Sequence, residues 1–243
     1  MLSDLTMLDA FGWEAIKKAL NQRVVLGTVR LVPSRRNRVW AVETDVRPVV
    51  VKKSLSGRCG NEFEVIIQAK GAGLNVPYPL FMEGDYLVSE YVQGETCDTL
   101  INHMFSNRAA EGMGEWLASF HGLLGHGPTT KVMKDAVLSN FILSDEKIFG
   151  VDLEDAGPGD PLDDVGQLCA AILGSEPFFT PIKFDLCLRM VQSYERTSSM
   201  DVIDVVRPYV SKHLMLDSKN KPLFRRTIVS AARSIEKGWP ALA

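Results

Sequence analysis

Hydrophobic and polar positions change their period about a third of the way along this chain. Leu8, Phe11, Ile16 and Leu20 fall at helical spacing and predict an amphipathic opening helix over Leu8–Leu20. The pattern then shortens to the alternation of strands: Arg23–Val32, Val39–Thr44 and Pro48–Lys52 are rich in β-branched residues. The turn formers PSRRN and TDVRP separate them, so a three-strand meander is expected. Helical periodicity returns over Asn61–Gly71 and is closed by Gly71, Gly73 and Pro77. Two short strands, Tyr78–Met82 and Tyr86–Tyr91, follow around the turn residues Glu83, Gly84 and Asp85.

From Cys97 onward the helical period dominates. Ala109–His121 places Met113, Trp116, Leu117 and Phe120 on one face, and further helices are predicted over Asp163–Leu173, Phe184–Tyr194, Val202–Leu214 and Leu223–Lys237. Lys131–Gly159 interrupts them with short apolar runs between acidic and Gly/Pro-rich pieces. A strand-rich first third and a helix-rich remainder predict an α+β chain of two lobes, residues 1–92 and 93–243, with the hinge near Val92–Glu95.

Composition narrows the function classes. The 243 residues carry a formal charge of −3, without the basic excess of a nucleic-acid binder. Cys59, Cys97, Cys169 and Cys187 show no CxxC spacing, which argues against a zinc site or a disulfide framework and fits a reducing compartment. No apolar run approaches the roughly 20 residues that span a bilayer. The N-terminus lacks a basic region followed by an apolar one, so a cytoplasmic location without membrane partners is expected. No GxxxxGK[ST], HExxH, GxSxG or strand-following GxGxxG is present.

One ordered set carries chemistry. Asp135 is followed five positions later by Asn140, then by a short pair of apolar runs and by Asp152. Phosphoryl transfer calls for such a set. The phosphates concentrate negative charge, which a hard divalent cation held by carboxylate and amide oxygens neutralises, and a separate carboxylate must orient the attacking hydroxyl. Upstream, Val49-Val50-Val51-Lys52 is a strand ending in a lysine suited to phosphate contact, with Lys53 on the opposite face. Its anionic partner is expected on the following helix, at Glu62, with Glu64 as the alternative. These two point about 200° apart by the helical period, so only one can face the lysine.

The order of lysine strand, glutamate helix, hinge, D-x-x-x-x-N loop and second aspartate resembles the protein-kinase-like superfamily over about residues 22–175. Gly114–His121 and Val151–Asp164 are similar to the aminoglycoside and choline-type small-molecule kinases; Leu138–Leu143 and Glu62–Gly73 also resemble RIO kinases and the kinase of the tRNA-threonylcarbamoylation complex. The resemblance implies a bilobal protein-kinase-like fold, with a small antiparallel β lobe, a mainly helical lobe and ATP with Mg²⁺ in the cleft between. It implies that Asp135 is the catalytic base and that Asn140 and Asp152 hold metal. Lys52, fixed by Glu62, would bind phosphates, and the backbone of Glu90–Val92 would bind adenine. Asp164 would brace the loop that carries Asp135. An alcohol acceptor is implied, a small molecule (aminoglycoside, sugar or choline-like) or alternatively a protein, and a catalytically weak binding module is a third possibility. Two departures stand out. Met133 replaces the usual loop histidine, and Pro33–Arg38 must cover the phosphates without glycine, through Ser34, Asn37 and an arginine of the group Arg35, Arg36 and Arg38. Acidic residues of the later helices (Asp185, Glu195, Asp201 and Asp204) are candidates for an acceptor site.

Overall fold

The structure is a computed structural model that describes residues 8–21, 23–34, 36–123 and 130–240. Its packing divides the chain into two compact units. The first runs to Gly71, resumes over Val76–Gln93 and takes in the distant segment Asp152–Asp155; the second comprises Ala72–Asn75, Gly94–Val151 and the chain from Ala156 onward.

In the first unit a five-stranded antiparallel sheet has the order β1-β2-β3-β5-β4, from β1 (Leu26–Val32), β2 (Arg38–Thr44), β3 (Val49–Lys53), β4 (Pro79–Glu83) and β5 (Tyr86–Glu90). Helix α1 (Ala10–Leu20) opens at Asp9, whose side chain accepts the Gly12 N–H at 3.0 Å. Ala15 and Ile16 bury its apolar face against Trp40, Val42, Val49, Val51 and Val88. Removing such side chains from water supplies most of the stabilisation, at ~25 cal/mol per Å² of apolar surface. Strand alternation then fixes the polar consequence. Val49 and Val51 face this core, and Lys53 on the same side reaches Asp9 at 2.9 Å and lies over the Tyr86 ring. Lys52 therefore projects from the opposite face. Helix α2 (Cys59–Gly71) buries Val65, Ile66 and Ala69 and carries Glu62 in its first turn.

The second unit is mainly helical: α3 (Cys97–Asn102), α4 (Asn107–Leu123), α5 (Pro161–Leu173), α6 (Pro181–Ser198), α7 (Arg207–Asp217) and α8 (Arg225–Lys237). Short strands β6 (Glu95–Thr96), β8 (Phe141–Ser144) and β9 (Lys147–Gly150) form one small sheet, and β7 (Lys131–Val132) pairs with β10 (Gly157–Pro158). Met113, Leu117 and Phe120 of α4 are wholly buried. Helices α4 and α6 approach so closely at Gly114 that a Cβ there would overlap the Met190 carbonyl oxygen. The helix expected over Val202–Leu214 begins instead at Arg207, because Pro208 fits only the first turn of a helix. The preceding N–H groups of Val202 and Ile203 are taken by the Glu195 carboxylate at 2.7 and 2.8 Å. No helix among the described residues is long and apolar enough to cross a membrane.

Candidate active site

The register of β3 and the first turn of α2 bring opposite charges together inside the first unit. Lys52 Nζ lies 2.7 Å from Glu62 Oε2, 2.5 Å from Asp152 Oδ1 and 3.1 Å from Glu154 Oε2. Glu64 is exposed, so of the two glutamates it is Glu62 that the helix turns toward the lysine. Burial works against charge on Lys52, yet Glu62 and Asp152 outweigh it and raise the lysine pKa. Glu62 is driven the other way. Its desolvation exceeds the pull of Lys52, and repulsion from Asp152 and Glu154 adds to it, lifting the carboxyl to about 7. The oxygens of Glu62, Asp152 and Glu154 lie within 4.8 Å of one another. Three carboxylates around one ammonium leave a negative surplus, and an all-oxygen carboxylate set suits a hard divalent cation. Asp152 is the accessible member, with its side chain 36% exposed against 5% and 4% for the two glutamates. Its backbone sits at φ 57°, in the left-handed region that an aspartate tolerates at a cost of ~1 kcal/mol.

The second unit builds the loop that carries Asp135. Asp160 caps α5, its Oδ1 accepting the Leu162 N–H at 3.0 Å, and Pro161 occupies the first helical turn. Asp164 is thereby placed in that turn facing the loop. Its carboxylate accepts the backbone N–H of Met133 at 2.5 Å and of Lys134 at 2.9 Å. One helical turn further, Gln167 Oε1 accepts the Ala136 N–H at 2.9 Å. His121 Nε2 donates to Asp164 at 3.1 Å, while its Nδ1 faces the Tyr194 hydroxyl at 2.9 Å. A histidine from α4 thus supplies the imidazole that Met133 cannot, and the loop is braced through backbone groups. Lys134 takes the left-handed conformation at φ 64°, which turns the chain toward Asp135. Asn140 closes the 3-10 turn Leu138–Asn140, and its Nδ2 donates to the Asp135 carbonyl at 2.9 Å with Asp135 Oδ2 at 3.5 Å. With its N–H groups so directed, the side-chain oxygen is the atom by which Asn140 can hold a cation. The Asn140 carbonyl accepts the Val151 N–H at 2.9 Å, which fixes the residue preceding Asp152.

The remaining candidates are placed as follows. Ser34 Oγ accepts the Asn37 N–H at 3.2 Å. The Asn37 side chain is turned inward: Nδ2 donates to Glu154 at 2.8 Å and Oδ1 accepts the Leu55 N–H at 3.1 Å, so both ends of the carboxamide are occupied. Arg36 and Arg58 both contact Asp155, and Arg35 lies outside the described residues. The Glu90 N–H is bonded to the Tyr78 carbonyl at 2.9 Å, and Val92 is half-buried. Among the acidic acceptor candidates, Asp185 pairs with Arg189, Asp204 with Arg207, and Glu195 caps the turn before α7. Sequence reasoning missed Glu154 and Gln167. Glu154 stood in the Asp152-Leu153-Glu154 segment, and Gln167 lies three residues after Asp164 on one helical face.

No protein-family profile matches the sequence, and no curated protein does so either. Solved structures do match in fold. The streptomycin–ATP ternary complex of APH(2″)-IIa superposes with a TM-score of 0.62 at 14% identity, covering 95% of this chain and 99% of that one. The amicoumacin kinase hAmiN, in complex with AMP-PNP, Ca²⁺ and its antibiotic, gives a TM-score of 0.62 at 13% identity over 86% of this chain and 88% of that one. A choline/ethanolamine kinase family protein from Mesorhizobium loti gives 0.55 at 15% identity over the same shares. The chain therefore has the protein-kinase-like fold of these solved structures.

Proposed function

We propose that this protein transfers the γ-phosphoryl group of ATP, with Mg²⁺, to a hydroxyl group of a small molecule. The observation that carries the reading is the buried Lys52 ammonium held by Glu62 and Asp152, because such a cation serves no apolar core and costs several kcal/mol to desolvate. The solved structures of the same fold add support, since two of them contain ATP or AMP-PNP together with a small-molecule antibiotic.

On this reading Lys52 binds the α- and β-phosphates, with Glu62 holding it in place. Asp152 and the Asn140 side-chain oxygen hold Mg²⁺, a role that the surplus of carboxylate oxygens around Lys52 fits. When bound, the metal neutralises charge on the phosphates. Asp135 accepts a hydrogen bond from the acceptor hydroxyl, orients its oxygen and takes its proton. The bracing of the loop by Asp164 and Gln167 is what keeps that carboxylate in position. The adenine contact is assigned to the Glu90 carbonyl and the Val92 backbone.

The test is ADP release from Mg–ATP over a panel of amino sugars, sugars and amino alcohols. A hydroxyl compound should stimulate release, and Asp135→Asn should lower kcat by about 10²–10⁴-fold, the usual contribution of a positioned base. Labelling of proteins with no response to any small alcohol would move the acceptor to the protein class. No nucleotide turnover or binding at all would remove the reading.

A further inference from the structure

The turn between β1 and β2, Pro33–Asn37, contains no glycine and so lacks the backbone freedom with which phosphate-covering loops close on a ligand. Its fastening in the first unit is by side chains. Asn37, only 7% exposed, donates from Nδ2 to Glu154 Oε2 at 2.8 Å and accepts the Leu55 N–H at 3.1 Å. That same Glu154 oxygen lies 3.1 Å from Lys52 Nζ. The Glu154 backbone carbonyl accepts from Asn61 Nδ2 at 2.9 Å, and the neighbouring Asp155 binds Arg36 from the turn and Arg58 from the approach to α2.

We infer that Asn37 is a positioning residue: through Glu154 it ties the β1–β2 turn to the residues following Asp152 and balances Glu154 against Lys52. A neutral amide is the donor this place requires. The buried Glu154 oxygens need hydrogen-bond partners in place of water, and a second ammonium or guanidinium here would compete with Lys52 for them. Without Asn37, Glu154 is left with Lys52 as its strong side-chain partner and draws the ammonium toward itself, away from Asp152 and from an incoming phosphate. The turn at the same time loses its inward anchor. The consequence for nucleotide binding rests on the phosphotransferase reading; the tie itself does not.

Limited trypsin digestion of the full chain tests the tie without any nucleotide, because Arg36 precedes Asn37 and cleavage there requires the turn to open. Asn37→Ala should be cut after Arg36 at least about tenfold faster than wild type, the factor that follows from losing the charge-assisted hydrogen bond to Glu154, with the lost Leu55 N–H contact adding to it. Asn37→Asp, which sets two carboxylates face to face, should be cut faster still. The double variant Asn37→Asp/Glu154→Gln restores a donor and an acceptor with reversed polarity and should return cleavage close to the wild-type rate. In turnover assays Asn37→Ala should raise KM for ATP about tenfold, with kcat within about threefold and KM for the acceptor unmoved. Equal cleavage of wild type and Asn37→Ala, or no recovery in the double variant, would overturn the tie. Faster cleavage with an unchanged KM for ATP would overturn the positioning role. Absence of turnover in wild type itself would remove the phosphotransferase reading, with digestion still deciding the tie.

Discussion

Asp164 offers the sharpest test of how the fold prepares the loop that carries Asp135. Replacing it with alanine removes the acceptor of two backbone N–H groups, those of Met133 and Lys134, and of the His121 imidazole. Asp164 is 1% exposed and Met133 is equally buried, so water cannot readily replace the lost carboxylate. A buried donor left without a partner costs about 1–3 kcal/mol, which puts Asp164→Ala at roughly 3–5 kcal/mol once the lost histidine contact is included. That is a large part of the ~5–15 kcal/mol that holds a typical domain folded. Asp164→Asn keeps one oxygen for one N–H but turns an amide donor toward the other donors, so it should lose about half as much or more. Urea unfolding monitored by tryptophan fluorescence gives the comparison. The midpoint should fall in the order wild type, Asn, Ala at an unchanged slope. An Asp164→Ala variant within about 1 kcal/mol of wild type would refute the idea that this carboxylate holds the loop.

Two further outcomes concern buried charge. Lys183 is wholly buried, bonded to Asn102 and at 3.0 Å to Ser175 Oγ, and burial lowers its pKa to about 8 with Asp98 opposing. The unfolded chain holds that proton more firmly, so stability should rise with pH between about 8 and 10.5; Lys183→Met should be more stable than wild type at pH 7 by ~1–3 kcal/mol, a gain that shrinks across that window, as the Ser175 hydroxyl still satisfies Asn102 at 2.7 Å. Denaturation of both proteins at pH 7 and pH 10 checks this, and a variant less stable than wild type at pH 7 would contradict it. Glu62 is raised to about 7 by burial, so the folded chain binds its proton more tightly than the unfolded chain; stability should fall as pH rises from about 4.5 to 7, by up to ~3 kcal/mol, and Glu62→Gln should flatten that slope. Parallel pH profiles of the two midpoints would show otherwise.

Much of this arrangement is legible along the chain because it rests on short-range pattern. The change from alternating to helical period marks where the sheet gives way to helices, and strand alternation separates Lys52 from Lys53. Glu62 is the lysine partner that the sequence favours over Glu64, but helical period shows only that the two diverge and not which one is turned inward. That depends on how α2 buries Val65, Ile66 and Ala69 against the sheet. Glu154 and Asn37 could not be paired from sequence at all, being 117 residues apart and joined only through the tertiary fold. The start of α7 departs from the apolar period for a local reason. Apolar period continues through Val202–Val206, but Pro208 and the capping by Glu195 hold those residues in turns.

The central proposal is that this protein moves a phosphoryl group from ATP to an alcohol oxygen under the control of Asp135. Phosphorus-31 NMR of the protein with Mg–ATP and a panel of hydroxyl compounds reads that transfer directly. The account predicts a new phosphomonoester resonance that grows as the γ-phosphate signal declines, and that is absent with Asp135→Asn. Growth of inorganic phosphate alone, or a phosphomonoester formed equally well by Asp135→Asn, would contradict it.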